Sequence, residues 1–359
     1  MSENKSKITN IILATLLTGI TAFIVFSLMG DNSNLTPRES NNIKPLKSEQ
    51  NREEANTLKP LENTLYMGLA IHVEGWDESK NPVKYTKHAS LIDEFAAIFE
   101  EYDMPLTLEM RPDEFVAGSI NNDDTDFILE LGERGHDLQI HADLGPKFST
   151  LNAFIDTLEE YKATTESIGI TVHAVSGVCA SLDWVTAIKD AGFKFATGIA
   201  EYCMTSLAEL PEGYEYIEDC KGPSLCHDRP MASNLDVSMH PWRPLSPEYW
   251  LTPGGSKDMP VIFIGGNLGE IKCISGKESG KCIFDTSDID IIKERIDEAL
   301  VNLDPERINT LNMTISIGSA PEEDILRDFL DMIQEYIDKG DVEWLTMTEE
   351  YERFLEWED

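Results

Sequence analysis

From residue 65 onward the chain alternates between short apolar runs and longer segments with apolar residues at helical spacing. "LYMGLAIHVE" is short and almost uniformly apolar, which predicts a strand buried on both faces. "ASLIDEFAAIFEEYD" follows, with Leu91, Ile92, Phe95, Ile98 and Phe99 spaced to line one face of a helix. Next come strand-like "MPLTLEM" and "DDTDFILELGERG", which opens on acids and closes on glycine as a capped helix does. The same alternation predicts strand "HDLQIHA", helix "LNAFIDTLEEYKATTESIG", strand "ITVHAVSG", helix "LDWVTAIKDAG" and strand "FKFATGIA". Residues 201–258 break the pattern; they are rich in Pro, Gly and Cys and read as long loops. It resumes with strand "MPVIFIGG", helix "DIDIIKERIDEALVNL", strand "NMTISIGS" and helix "EEDILRDFLDMIQEYIDKG". A last strand, "VEWLTM", and a closing helix, "TEEYERFLEWE", end the chain.

Strict alternation of strand and helix implies parallel strands joined by crossovers. The predicted α/β architecture is a (β/α) barrel of about seven or eight parallel strands, closed or nearly so. An open doubly wound sheet is the alternative. No Gly-rich phosphate loop follows the first strand, which argues against a dinucleotide site.

Ahead of this domain, Lys5 and Lys7 precede residues 8–30, which carry no charge. A stretch of that length spans a bilayer as a helix. A cleaved signal peptide is the rival, but "FSLMGD" makes a poor cleavage site and no cysteine follows for a lipid anchor. The expected organisation is therefore a cytoplasmic segment 1–7, a transmembrane anchor 8–30, a polar tether 31–62 and a single extracytoplasmic domain, 63–359.

The formal charge of −37 changes the picture of partners. Residues 1–62 hold 7 basic and 7 acidic side chains, so the whole excess falls on 63–359. Such a surface argues against nucleic acid and against polybasic docking on anionic lipid, and favours solubility. Six cysteines suit an oxidising compartment. Cys273 and Cys282 flank one turn-rich segment and Cys220 and Cys226 another, without the close spacing of a zinc ribbon. Cys179 and Cys203 read either as a further pair or as buried thiols.

In a (β/α) barrel, chemistry sits at the C-terminal ends of the strands. The first strand ends in His72-Val73-Glu74, followed by Gly75 and Trp76; the second ends near Glu109; the third ends in His141-Ala142-Asp143. Alternation along a strand puts His72 with Glu74, and His141 with Asp143, on shared faces. A histidine and carboxylate set of this kind suits a divalent ion, zinc first, that makes a bound water nucleophilic near neutral pH. A histidine at one strand end is ordinarily a satisfied hydrogen-bonding residue; two alternating pairs at two ends make the stronger case. In the irregular region, "MHPWRPLSPEYW" gathers His240, Trp242 and Arg243, which suit sugar stacking and proton donation or else a Pro-braced loop with Trp in the core.

These motifs resemble those of the polysaccharide deacetylases of the NodB-homology class. "ERGHDLQIH" is similar to the run leading to that family's first metal histidine, "AIHVEGW" stands in the place of its first-strand acidic motif, and "LDWVTAIKDAGFKFATG" resembles its helix-to-strand segment. The resemblance implies a metal-dependent hydrolase of an acylated glycan in which Glu74, His141 and Asp143 hold the ion. It puts His72 at the catalytic-base position; His240 is the candidate proton donor, and Trp76, Trp242 and Arg243 the candidate substrate contacts. Asp143 takes the place of the family's second histidine, its arginine is missing from "HAVSGVCASLDW", and Ser316 stands for its late-strand histidine. Those departures leave a second expectation, a barrel that binds a glycan or surface partner without turnover. Oligomeric state is not legible.

Overall fold

The strands assemble into one sheet, and every pairing between them is parallel. The computed structural model describes residues 64–359 except 76, 145–147, 220–230, 232–236, 264–267, 275–282 and 320. The expected anchor and tether, Trp76, and the pairings of Cys220 with Cys226 and of Cys273 with Cys282 therefore fall outside the described residues. No described helix is long and apolar enough to cross a membrane.

The elements follow the predicted alternation. They are β1 (Leu65–Val73), α1 (Pro82–Glu100), β2 (Thr107–Met110), α2 (Ala117–Asn121), α3 (Thr125–Glu133), β3 (Asp137–His141), α4 (Leu151–Glu166) and β4 (Ala174–Ser176). Then come α5 (Trp184–Asp190), β5 (Phe195–Ala196), β6 (Val261–Ile262), α6 (Thr286–Val301), β7 (Asn309–Ser316), α7 (Glu323–Lys339), β8 (Val342–Trp344) and α8 (Met347–Glu358). The sheet runs β6-β5-β4-β3-β2-β1-β7, with β8 pairing on β1. This is a half-barrel; between its outer strands, Gly269 and Glu270 run beside Thr314 of β7 and narrow the gap.

Local chemistry explains the boundaries. In β1 every residue except His72 is buried, because helices cover one side and the barrel interior the other. In α7, Leu326, Phe329, Leu330, Ile333 and Tyr336 form the buried stripe. That helix stops at Gly340, whose φ of 79° is the left-handed conformation that glycine adopts without steric cost. In α8, the Thr346 hydroxyl accepts the Glu349 N–H while the Glu349 carboxylate accepts the Thr346 N–H, a reciprocal cap.

The closing helix has a larger role than a lid on the sheet. Thr348 is hydrogen-bonded to Asp137 at the start of β3, Glu350 to Asn312 of β7, and Tyr351 stacks on Phe195 of β5 with ring centroids 4.9 Å apart. Met347 and Phe354 pack with Ala70, Ala174, Phe195 and Val261. Helix α8 thus fills the lower interior of the half-barrel, and the upper interior, at the strands' C-terminal ends, is left to polar side chains.

Candidate metal centre

Three adjacent strands build the centre. Register places His72 of β1 beside Glu109 of β2 on one side and Ser316 of β7 on the other. His141 ends β3 in register with Ser176 of β4. The imidazoles of His72 and His141 face each other with centroids 4.2 Å apart. Glu74, one residue past β1, brings Oε2 to 3.1 Å from His141 Nε2. One ligand atom from each of His72, Glu74 and His141 lies within 4.8 Å of the others.

Electrostatics hold this trio together. Burial alone would pull the His72 pKa down, but the adjacent Glu109 carboxylate, then Glu74 and Glu270, push it up to about 9. His72 Nε2 is buried 3.0 Å from Glu109 Oε2, yet it has no partner in hydrogen-bonding geometry. With no ion between them, burial would raise Glu74, but the imidazolium form of His141 first, then that of His72 and the Arg111 guanidinium, hold its carboxyl well below the usual range. Glu109 is fully buried and is likewise held low, because the histidines and the Ser176 hydroxyl outweigh its desolvation.

The donor set fits a divalent ion. Two histidines and one glutamate form a common catalytic zinc set, leaving coordination positions open. At metal–ligand distances near 2.1 Å, tetrahedral donors stand about 3.4 Å apart, close to the 3.1 Å between His141 Nε2 and Glu74 Oε2. A buried His72 nitrogen without a proper hydrogen bond completes the case, since buried polar atoms ordinarily find partners.

Asp143 differs from its expected place. Strand β3 ends at His141, and Asp143 takes a left-handed φ of 43°, so alternation no longer governs its direction. Its Oδ2 accepts from an Arg111 terminal nitrogen at 2.7 Å instead of joining the trio. Arg111, just past β2, also binds both Asp113 oxygens at 3.0 and 2.9 Å and lies 3.6 Å from Glu114. Glu114 in turn accepts the Gly75 N–H at 2.8 Å, tying the loop that carries Glu74 to the same rim. Gly177 seats the other side: a Cβ there would lie 2.5 Å from the Asp143 nitrogen and 2.9 Å from the His141 ring, and its φ is +65°.

Among the described residues, His240, Trp242 and Arg243 are engaged elsewhere in the fold. His240 Nδ1 donates to the Ile308 carbonyl just before β7, whereas the centre adjoins Ser316 at its far end. Eight residues of strand separate those ends, about 26 Å at 3.3 Å per residue, so His240 does not reach the centre. Trp242 is core, its indole donating to the Trp250 carbonyl. Arg243 is buried against Glu358 at the end of α8 and the Met259 carbonyl before β6. His136, at the other end of β3, accepts the Leu106 N–H at 3.1 Å. Cys179 and Cys203, left open by the sequence, form a disulfide joining the loops after β4 and β5. Glu109 and Arg111 received no role from the sequence; their positions at and just past a strand end were the available signal.

No protein-family model matches the chain, and no curated protein matches it in sequence. Solved structures do match. A Puue allantoinase superposes with a TM-score of 0.54 at 9% identity, over 82% of this chain and 93% of the other. A protein named as a polysaccharide deacetylase, from Mycobacterium smegmatis, gives 0.52 at 11% identity, over 82% and 91%. Another so named, from Pseudomonas aeruginosa PAO1, gives 0.51 at 8% identity, over 82% and 93%. At these identities the likeness is one of fold: the chain has the half-barrel of the polysaccharide deacetylases.

Proposed function

We propose that this protein is a metal-dependent hydrolase that removes acyl groups from an envelope or extracellular glycan. One observation carries the reading: His72, Glu74 and His141 converge at the mouth of a half-barrel shared with proteins named as polysaccharide deacetylases. In this reading the three side chains hold the ion, zinc in the first instance. A bound zinc ion would supply a nucleophilic water near neutral pH and polarise the acyl carbonyl. His72 then serves as a ligand, and the base role falls to Asp143, the rim carboxylate that Arg111 holds two residues beyond His141. The apolar segment 8–30 would tether the domain to the outer face of a membrane.

The test is acetate release from acetylated amino-sugar oligomers by the full chain supplied with zinc, beside measured metal content. Wild type should hold about one equivalent and release acetate, and His141→Ala should lose both. Equal metal content in the two proteins overturns the assigned centre. The second reading, a barrel that binds glycan without turnover, draws on Ser316 where the resembled motif calls for histidine, and on the remote His240. It predicts saturable glycan binding and no acetate at any zinc concentration.

A further inference from the structure

Glu109 has no exposure to solvent, and a buried carboxylate needs donors on both oxygens. Oε1 accepts from the Thr197 hydroxyl at 2.5 Å and Oε2 from the Ser176 hydroxyl. Ser176 has a single hydroxyl proton, and an ionised carboxylate only accepts. That proton is therefore committed to Glu109, and the Ser176 oxygen is left to accept from His141 Nδ1, 2.8 Å away. With its proton on Nδ1, a neutral His141 turns the Nε2 lone pair toward Glu74 Oε2 at 3.1 Å. Two electron-rich atoms so placed are stabilised by a cation between them. The same Glu109 Oε2 lies 3.0 Å from His72 Nε2, so one carboxylate borders both histidines.

We propose that Glu109 is a positioning residue of the metal centre: through Ser176 it sets which nitrogen of His141 carries the proton, and so presents Nε2 to the ion. The inference rests on the metal reading above and adds a carboxylate–hydroxyl–imidazole relay spanning β2, β4 and β3. Outer carboxylates that orient metal-bound histidines act in this manner.

The experiment uses the full chain loaded with zinc. Affinity is read by competition with a chelator, and the His141 ring by 15N chemical shifts and the protection of its N–H. Wild type should bind zinc through Nε2 with a protected Nδ1–H. Ser176→Ala, which keeps Glu109 but cuts the relay, should weaken zinc by ten- to hundredfold and lose that protection; Glu109→Gln should act in the same direction. Thr197→Val removes the other donor to the same carboxylate without touching either histidine, and should cost much less. Unchanged zinc affinity in Ser176→Ala, or equal losses in Ser176→Ala and Thr197→Val, overturns the relay and leaves the metal reading intact. Absence of zinc binding by wild type overturns both.

Discussion

Glu350 gives the sharpest stability prediction. It sits on α8, fully buried inside the half-barrel, where one oxygen accepts from Asn312 Nδ2 at 2.7 Å. Its other oxygen and the Asn312 amide oxygen are both buried without a hydrogen-bond partner. A protonated carboxyl brings a donor of its own into that setting; an ionised one does not. Burial pushes the Glu350 pKa from an ordinary 4.5 up to about 8, with the Asn312 hydrogen bond opposing and the Glu349 charge adding to it. Between those values the folded protein keeps a proton that the unfolded chain has released. Stability therefore falls as pH rises through the window from 4.5 to about 8. At about 1.4 kcal/mol per pH unit the whole effect is about 5 kcal/mol. Glu350→Gln is neutral at every pH and nearly isosteric, so it removes this dependence. Urea unfolding of both proteins at pH 5, 6, 7 and 8 should give similar stabilities at pH 5 and a gap in favour of the variant that widens by about 1 kcal/mol per unit. Parallel stability curves for the two proteins would refute the reasoning, because every other titrating group cancels in the difference.

Removing the disulfide with Cys179→Ser and Cys203→Ser frees a loop closed over a sequence separation of 24, and should cost about 3.5 kcal/mol in chemical unfolding; an unchanged midpoint would count against the bond. Gly177→Ala should abolish zinc binding in calorimetry, since its methyl would meet the Asp143 backbone and the His141 ring; retained affinity would show that the rim yields more easily than the geometry implies. Arg111→Met should release Asp143 and loosen the grip of Glu114 on Gly75, with zinc affinity falling roughly tenfold. Its melting temperature should barely move, because the Asp113 and Asp143 side chains are 43% and 41% exposed and their pairing is screened by water. A large loss of thermal stability with intact zinc binding would contradict that assignment.

The two arms of the centre differ in how they are built. Glu74 and His141 are positioned by strand ends and by rim contacts in which a buried Arg111 pairs with the partly exposed Asp113, Glu114 and Asp143. His72 and His141 also lean on Glu109, Ser176 and Thr197, which are buried. Substitution of the buried group should change which nitrogen binds, whereas substitution of the rim should change how tightly the loops close.

Local pattern was enough for the alternation of elements and the parallel sheet, and it put His72, Glu74 and His141 forward as candidates. Periods of two and 3.6 are local properties, so the apolar runs and amphipathic stripes specify strands and helices without reference to distant residues. Alternation likewise put His72 and Glu74 on one face at the end of β1. It failed for Asp143 because the strand had already ended at His141, and a left-handed backbone sent the carboxylate to Arg111. Which strands are neighbours, and in which register, was decided only in three dimensions. The pairing of His72 with Glu109 and of His141 with Ser176 is what makes a relay from groups 35 and 67 residues apart in the chain. The same holds for His240: its Trp- and Arg-rich setting resembled a binding loop, but the chain carries that segment to the lower end of β7. Arg243 is buried against Glu358 and Phe354 of α8, and Trp242 pairs with Ile262 of β6 and packs with Trp184 and Trp250, so both are part of the core.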